Sequence, residues 1–410
     1  MRNFVEETKP IDVCINLVSG ALGFPWNAGE KILPLDAAFG LRAAREITAG
    51  EPMPPFDRSL RDGYAVCSPA TAGASAGSPS FLRIVGDIAM GETRRFEISG
   101  DMAASIATGG MMPRGADAVV MIEDTEDSGG WLEVRRAVSR GENIVFEGEE
   151  RQRGDALVSR GGMIDCAAAG ALSAFGVPEV PVADVTVGVL STGDEIVPAD
   201  CSPLPPGCVR DSNSYILGAL CERYGFGFKS YGIIGDSLEE LRAAAGIAAS
   251  ECGVVLLTGG SSVGARDHTT GVVESLSDTG LLVRGINMVP GKPTIIGGNV
   301  REKKLIAGLP GHPVSCAAAA VFVILPLMLR MIGARKTYPG RYIKLPLAED
   351  VHGRTGPDEF VPARIDGGGI RPLAAKSGYV SALSDADGFI RLRPDTETLR
   401  RGESAEIWIW

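Results

Sequence analysis

The sequence predicts a multidomain protein of the α/β plus β class, and three observations predict it. Between Val180 and Ile332 short apolar runs alternate with helical patterns, the rhythm of an α/β domain with a mostly parallel sheet. From Glu51 to Glu147 the chain breaks into short strand-like pieces separated by Gly, Ser and Pro, which indicates a small β domain. From Thr337 to Trp410 apolar residues alternate and turns carry Gly and Pro, as in a small C-terminal β barrel. A chain of 410 residues exceeds one ordinary domain; at about 150 residues each, roughly three are expected.

The elements follow in chain order. Ile32–Ala49 is rich in Leu, Ala and Arg at helical spacing and is expected to be helical. Phe81–Val85, Arg94–Ile98, Ala118–Ile122 and Trp131–Val134 are the expected strands of the β domain. Ser68–Ser80, rich in Ser, Ala and Gly, is expected to be a surface loop, and Asp165–Phe175 a helix. In the α/β domain the run Val185–Leu190 ends in Ser191-Thr192-Gly193-Asp194-Glu195. Asp211-Ser212-Asn213-Ser214 opens a helical pattern that Gly225 can terminate. Ser237-x-x-Glu240 is a capping box for a helix over Leu238–Ala249. Val254–Leu257, apolar at every position, is too uniform for a half-solvated strand and reads as a central, covered one. Leu305–Ala307 is a further strand, leading into Gly308-Leu309-Pro310-Gly311-His312-Pro313. Val314–Leu329 spans 16 residues and contains Pro326. It falls short of the about 20 apolar residues that cross a membrane and reads as a buried helix at the sheet's edge.

Composition narrows the function. A net charge of −11 argues against nonspecific binding to nucleic acid or to an anionic membrane. The eight cysteines form no C-x-x-C pair, and with only three histidines no zinc cluster is visible. Reduced cysteines packed in cores, and an opening MRNFVEETKP without an apolar stretch, point to a cytoplasmic protein.

The most informative segment is Gly253–Thr269, GVVLLTGGSSVGARDHT. Gly259, Gly260 and Gly264 permit a sharp turn and close approach to a ligand, Ser261 and Ser262 offer hydroxyls, and Asp267 reaches the start of the next helix. Loops after parallel strands are where open α/β sheets bind ligands, and their N–H groups suit oxyanions. Alone, such a loop could equally be a tight turn with no ligand. Four more loops of similar character accompany it: Thr192–Glu195, Asp211–Asn213, the turn Val289-Pro290-Gly291-Lys292-Pro293, and Gly308–Ser315. Loops of one parallel sheet converge on one rim, so together they suit a large, polar, phosphate-bearing ligand.

STGDEIV, DSNSYILGAL, LLTGGSSVGARDHT, PGKP and LPGHPVS resemble, in order, the molybdopterin-binding domain of the molybdopterin molybdenumtransferases. PPFDRSLRDGYAV (Pro54–Val66) and IATGGMMPRGADAVVMIEDT (Ile106–Thr125) resemble that family's N-terminal motifs. The resemblance runs from about Pro10 to the C-terminus. It implies an elongated linker domain made of residues 10–49 and 150–178, an inserted β domain at 50–149, a molybdopterin-binding α/β domain at 179–332 and a C-terminal barrel at 333–410. It further implies insertion of molybdate into adenylylated molybdopterin with release of AMP, in a homodimer whose partner contributes the Asp62 segment to the pocket. The separate molybdopterin adenylyltransferase is an expected partner.

That chemistry must hold a pyrophosphate, a tetrahedral oxyanion and Mg²⁺, which takes oxygen ligands. Asp62, Thr108, Glu195, Asp236, Asp267 and Lys292 are the catalytic candidates, with Glu195, Asp236 and Asp267 also the magnesium ligands. Ligand-binding candidates are Thr192, Gly193, Asp194, Asp211, Ser212, Asn213, Gly259, Gly260, Ser261, Ser262, Gly264, Pro290, Gly291, Pro310, Gly311, Pro313 and Ser315. Each has a duller reading: Asp194 or Asp236 as helix caps, Asp62 and Thr108 as turn residues beside glycines, Lys292 as a solvated turn charge. The dull reading is the better one for Asp236 and Thr108 taken singly; the matched motifs favour function for Asp62, Glu195, Asp267 and Lys292. The scatter of His268, His312 and His352 argues against general-base roles.

The chain departs from the family at Val289 and Gly285, where basic residues are usual, and at Arg61, where methionine is. Oxyanion capture then falls to Arg58, Arg61, Arg266 or Arg284. Two alternatives stay open: a non-catalytic molybdopterin carrier, and an insertase selective for tungstate, an oxyanion of the same charge and geometry.

Overall fold

The computed structural model describes residues 8–27, 29–92, 97–259, 263–337 and 342–409, and of residues 263–267 only the helical backbone. The chain divides into two compact units, Thr48–Leu157 with Ala171–Gly176, and the remainder.

Within the remainder, the α/β domain runs Thr186–Thr192 (β1), Asn213–Arg223 (α1), Gly227–Ile234 (β2), Leu238–Glu251 (α2), Val254–Gly259 (β3), Val263–Leu276 (α3), Leu281–Arg284 (β4), Ile295–Asn299 (β5), Lys304–Leu309 (β6) and Pro313–Met331 (α4). The sheet order is β2-β1-β3-β6-β5-β4. The first four strands are parallel, and β5 and β4 complete the sheet as antiparallel neighbours. β3 is therefore central, and its uniform apolarity has a direct cause. Val254 and Leu256 pack with Val187, Val189, Leu305 and Ala307 beneath α1 and α4. Val255 and Leu257 pack with Leu190 and Ile306 beneath α2 and α3. Each fully buried side chain of this size contributes about 1.5–3 kcal/mol, so a polar residue on either face would be costly.

The helices obey their local signals. Ser237 caps α2, its hydroxyl accepting from the Glu240 N–H at 3.4 Å, and Gly225 ends α1 with φ +74°. α4 extends over 19 residues, against the 16 expected, and 94% of its most apolar window is buried inside the protein. Pro326 is accommodated because a π segment, Ala320–Ile324, precedes it and absorbs the missing N–H.

The expected helix over Ile32–Ala49 does not form. Gly29–Pro34 is a strand pairing antiparallel with Glu179–Asp184, followed by a 3₁₀ turn at Leu35–Ala38. Pro34 and the left-handed Gly40 (φ +78°) interrupt the helical spacing, and a strand partner distant in sequence outweighs local propensity.

The C-terminal strands form a ring. Asp358–Asp366 pairs with Gly388–Leu392, which pairs with Ser404–Ile409, which pairs with Tyr342–Pro346. A bridge from Leu347 to Ile370 and the pairing of Gly369–Pro372 with Asp358–Asp366 complete the circuit around Ile390, Ile407 and Ile370.

The other unit is built on a six-stranded sheet in the order Ala118–Met121, Gly63–Val66, Met102–Ile106, Ser80–Ile88, Trp131–Val134, Thr125–Asp127. The expected strand at Arg94–Ile98 lies mostly outside the described residues, and Gly63–Val66 and Met102–Ile106 are strands the alternation does not announce. Ser68–Ser80 is more than a surface loop. It starts with a 3₁₀ turn whose Thr71 is fully buried, accepting from the Val138 N–H at 3.0 Å.

Candidate functional site

The carboxyl ends of β1, β3 and β6 meet at one rim. Ser191 lies opposite Thr258, and Thr258 opposite Leu309; one step further, Thr192 lies opposite Gly259. Gly259 has φ +129°, and a Cβ there would fall inside the carbonyl oxygen of Thr192, so only glycine fits. The loop after β6 comes equally close: a Cβ on Gly311 would touch the Gly259 Cα at 3.4 Å.

Behind this rim a carboxylate organises the floor. Asp211 accepts the Ser191 hydroxyl at 2.9 Å, the Ser214 hydroxyl at 2.5 Å and the Ser214 N–H at 3.2 Å. Thr258 donates to Ser191 at 3.4 Å. Asp211 thus satisfies a free N–H of the first turn of α1 and ties that helix to β1.

In front of the rim opens a cavity of about 550 Å³. Eight of the expected residues line it: Thr192, Glu195, Asp211, Ser212, Asn213, Gly259, Gly311 and Pro313. Two of them carry buried polar atoms with no hydrogen-bond partner among the described residues, Thr192 Oγ1 and Asn213 Oδ1. The residues are 2% and 7% exposed. The Asn213 amide is oriented by donation to the Gly311 carbonyl at 2.8 Å, which leaves the acceptor oxygen unused. A buried polar atom without a partner costs about 1–3 kcal/mol, so two on residues of one cavity wall set that wall apart from an ordinary core.

The acidic candidates sit at one side. Gly193 (φ +142°) packs so tightly on the Glu195 carboxylate that a Cβ would collide with it. Asp194 Oδ1 accepts the Asp236 N–H at 3.0 Å and so fixes the turn before α2, whose cap is Ser237; neither aspartate caps that helix. The Asp236 carboxyl is pushed above the usual carboxylate range by partial burial, then by Asp194 and Glu195, with His268 opposing. Among the described residues no three metal-ligating groups converge. Gly260, Ser261 and Ser262 lie outside the described residues. Gly264 and Asp267 fall within α3, where the side chain of Asp267 is likewise outside them.

Other candidates lie off the cavity lining. Pro310 and Ser315 are buried at the end of β6 and in the first turn of α4. Val289 ends a short strand, Met288–Val289, that pairs with Asp358–Glu359 of the C-terminal ring, and Pro290 and Gly291 follow it. Lys292 is exposed, its carbonyl accepting from the Ile286 N–H at 2.9 Å. Arg284, a candidate replacement cation, is ion-paired with Glu274.

In the other unit Asp62 and Thr108 are brought together: the Thr108 N–H donates to Asp62 Oδ1 at 2.7 Å. That bond, then a second to the Thr108 hydroxyl, holds the Asp62 carboxyl below its ordinary range. Asp62 is exposed beside a cleft of about 260 Å³ shared with Tyr64 and Asp87.

Sequence reasoning missed part of the cavity. Leu204, Val209 and Arg210 line it from the Pro-rich stretch after Glu195, and Gly378 and Val380 from the C-terminal domain. His312, which lies inside the expected Gly308–Ser315 loop without being an expected site residue, also lines it. The run Ser202-Pro203-Leu204-Pro205-Pro206 marks a rigid segment, and nothing in the sequence marks residues 378 and 380.

Comparison with known proteins gives consistent matches. Residues 7–176 match the MoeA N-terminal region (domains I and II), 188–330 the probable molybdopterin binding domain, and 344–410 the MoeA C-terminal region (domain IV). The chain is 31% identical to a putative molybdopterin biosynthesis protein of Methanocaldococcus jannaschii over 99% of each chain. It is 30% identical to the molybdopterin molybdenumtransferase of Bacillus subtilis over 89% of this chain and 86% of that one. A crystal structure of a molybdopterin biosynthesis MoeA protein from Pyrococcus horikoshii superposes with a TM-score of 0.84 at 27% identity, covering 98% of this chain and 100% of that one. A second MoeA structure from that organism gives 0.78 at 32% identity, covering 98% and 99%.

Proposed function

Because the chain belongs to the MoeA family of molybdopterin molybdenumtransferases, we propose that its rim cavity holds adenylylated molybdopterin while molybdate is inserted and AMP released. The observation that carries this is a pair of buried polar atoms without a partner among the described residues, Thr192 Oγ1 and Asn213 Oδ1, on residues that line a cavity at a parallel strand rim together with Gly259 and Gly311. Such a wall admits a ligand to backbone distance and supplies hydrogen bonds that water would otherwise have to complete.

Glu195, Asp236 and Asp267 would hold Mg²⁺. The Asp236 carboxyl is raised by burial and then by the charges of Asp194 and Glu195, and a hard cation would relieve that repulsion. When bound, the ion would neutralise charge on the pyrophosphate being cleaved. Thr192 at the end of β1 and Glu195 in the turn after it orient the ligand, and Lys292 supplies a cation for the oxyanion. Asp62 and Thr108 act from the partner of a homodimer. The exposed Asp62 carboxylate, anchored by the N–H and hydroxyl of Thr108, supports a role outside its own unit. The protein would work in the cytoplasm beside the adenylyltransferase that supplies its substrate.

The test is a metal-insertion assay with purified protein, adenylylated molybdopterin and either molybdate or tungstate. Formation of metal-loaded cofactor with stoichiometric AMP is expected, and the two oxyanion arms read the selectivity. Binding without turnover would instead support a carrier. For the shared site, mixing Asp62→Ala with Glu195→Ala subunits should restore one working pocket per heterodimer, and verified mixed dimers without activity would rule sharing out.

A further inference from the structure

The two helices that frame the cavity are also held from behind. α1 and α4 begin at the rim, where the Asn213 amide donates to the Gly311 carbonyl at 2.8 Å. They end on two arginines of the N-terminal region. Arg42 donates from Nε to the carbonyl of Tyr224, the residue that closes α1, at 2.5 Å, and from a terminal nitrogen to the Gly161 carbonyl at 2.9 Å. Arg160 repeats the pattern on α4. Its Nε donates to the carbonyl of Ile332, which closes that helix, at 2.9 Å, and a terminal nitrogen donates to the Trp26 carbonyl. Each guanidinium thus joins one helix end to backbone of the N-terminal region. The two stretches that carry the arginines are themselves paired: the Ala43 N–H donates to the Gly162 carbonyl and the Gly161 N–H to the Ala43 carbonyl, both at 2.8 Å. They press closely on the helix ends. A Cβ on Gly225 would collide with the Gly40 carbonyl, and one on Gly161 with the backbone of Ala334.

Stopping the helices does not require the arginines. Gly225 and Gly333, left-handed at φ +74° and +80°, end α1 and α4 by themselves. Arg42 is 9% exposed and lies 5.8 Å over the Phe226 ring, with carbonyls as its hydrogen-bond partners. Burial lowers its guanidinium to about 10, which leaves it charged near neutrality. The negative end of a helix macrodipole favours a cation there, but burying one on neutral acceptors is costly. An apolar side chain would fill the space at less cost, yet it could not tie two helix ends to one strip. We propose that Arg42 and Arg160 are positioning residues that couple the N-terminal region to the ligand cavity. By pinning the rear ends of α1 and α4 to one strip, they set the spacing of residues 211–213 and 311–313 at the front. α1 has 11 residues and is about 16 Å long, so a shift at its rear is carried to the rim by a single rigid rod. Coupling of this kind is reciprocal, so a ligand that fixes the two front loops also steadies the strip behind them.

This inference rests on the cavity being the pterin-nucleotide site, and the experiment separates the two. Dissociation constants for molybdopterin and for AMP are measured by calorimetry on wild type, Arg42→Met, Arg160→Met and Arg42→Lys. Ile390→Val, in the core of the C-terminal ring, serves as a destabilised control. Hydrogen exchange at the Ala43 and Gly161 amides is followed with and without each ligand, and thermal unfolding ranks stability. Both ligands should slow exchange at the two amides in wild type and in Ile390→Val. Each Met variant keeps an apolar stem and loses both bonds. It should bind the ligands roughly fivefold or more weakly, as for ordinary coupling between sites, and lose the exchange response. Arg42→Lys keeps the charge without the fixed fork and should show an intermediate loss. If Arg42→Met does not fold, Arg42→Lys and Arg160→Met carry the test. Wild-type affinity and exchange response in the arginine variants would reduce both residues to stability and overturn the proposal. An unresponsive strip in ligand-bound wild type would overturn it too, as would an equal loss of affinity in Ile390→Val. The cavity reading would stand in each of these cases. Failure of the wild type to bind either ligand would overturn both.

Discussion

Asp211 at the rim of the α/β sheet and Asp62 in the other unit are carboxylates with opposite fates. Asp211 accepts three hydrogen bonds from two serines and is partly buried behind the cavity. Asp62 is exposed and is held by one residue, Thr108. A carboxylate with its acceptor positions filled builds a site, whereas one with positions to spare is free to act on something else. The rim is tied together through Asp211, and the Asp62 carboxylate keeps acceptor positions open to solvent.

The rim breaks most severely at Gly259. Gly259→Ala forces a side chain into φ +129° and into the Thr192 carbonyl. Backbone strain of that kind costs about 1–3 kcal/mol before the collision is counted. A lowered unfolding midpoint and complete loss of nucleotide binding are expected in calorimetry. A variant that binds normally would mean that the rim yields, and the contrast with Asp62 would lose its basis.

The two aspartates test the contrast directly. Asp211→Ala strands the hydroxyls of Ser191 and Ser214 and should lower stability by about 1.5–3 kcal/mol in urea unfolding, weakening binding with it. Asp62→Asn should leave the urea midpoint unchanged and abolish metal insertion while ligand binding persists. If Asp62→Asn destabilises and Asp211→Ala does not, the assignment of builder and reagent is reversed.

Much of the rim was legible because it is local. Val254–Leu257, the glycines after it, and the Asp211–Ser214 cap are each read from a few adjacent residues. What escaped is what depends on distant partners. Gly29–Pro34 is a strand only because Glu179–Asp184 lies beside it, and Ser377 reaches His312 from 65 positions away. His312 looked isolated for the same reason: the sequence lists its neighbours along the chain and not across the domain. Thr192 was legible as polar, but its lack of a partner among the described residues is a property of the packed rim alone.

The smallest effect belongs to Asp236, which is neither builder nor presented reagent. Its backbone N–H fixes Asp194, while its own carboxyl is partly desolvated and faces Asp194 and Glu195. The folded value is thus raised above the unfolded one. The folded protein holds that proton more tightly, so stability falls as pH climbs from the ordinary carboxylate range through the raised folded value. Asp236→Asn removes the fall. Below the ordinary carboxylate range variant and wild type should coincide; near neutrality the variant should be the more stable, by less than about 0.5 kcal/mol given how exposed the group is. Urea unfolding across that pH range measures the difference. A less stable variant at neutral pH would make Asp236 a structural residue like Asp211. The expected small gain, joined to loss of insertion activity and to a stabilising response of the wild type to added Mg²⁺ that the variant lacks, would mark a carboxylate kept in repulsion for a cation.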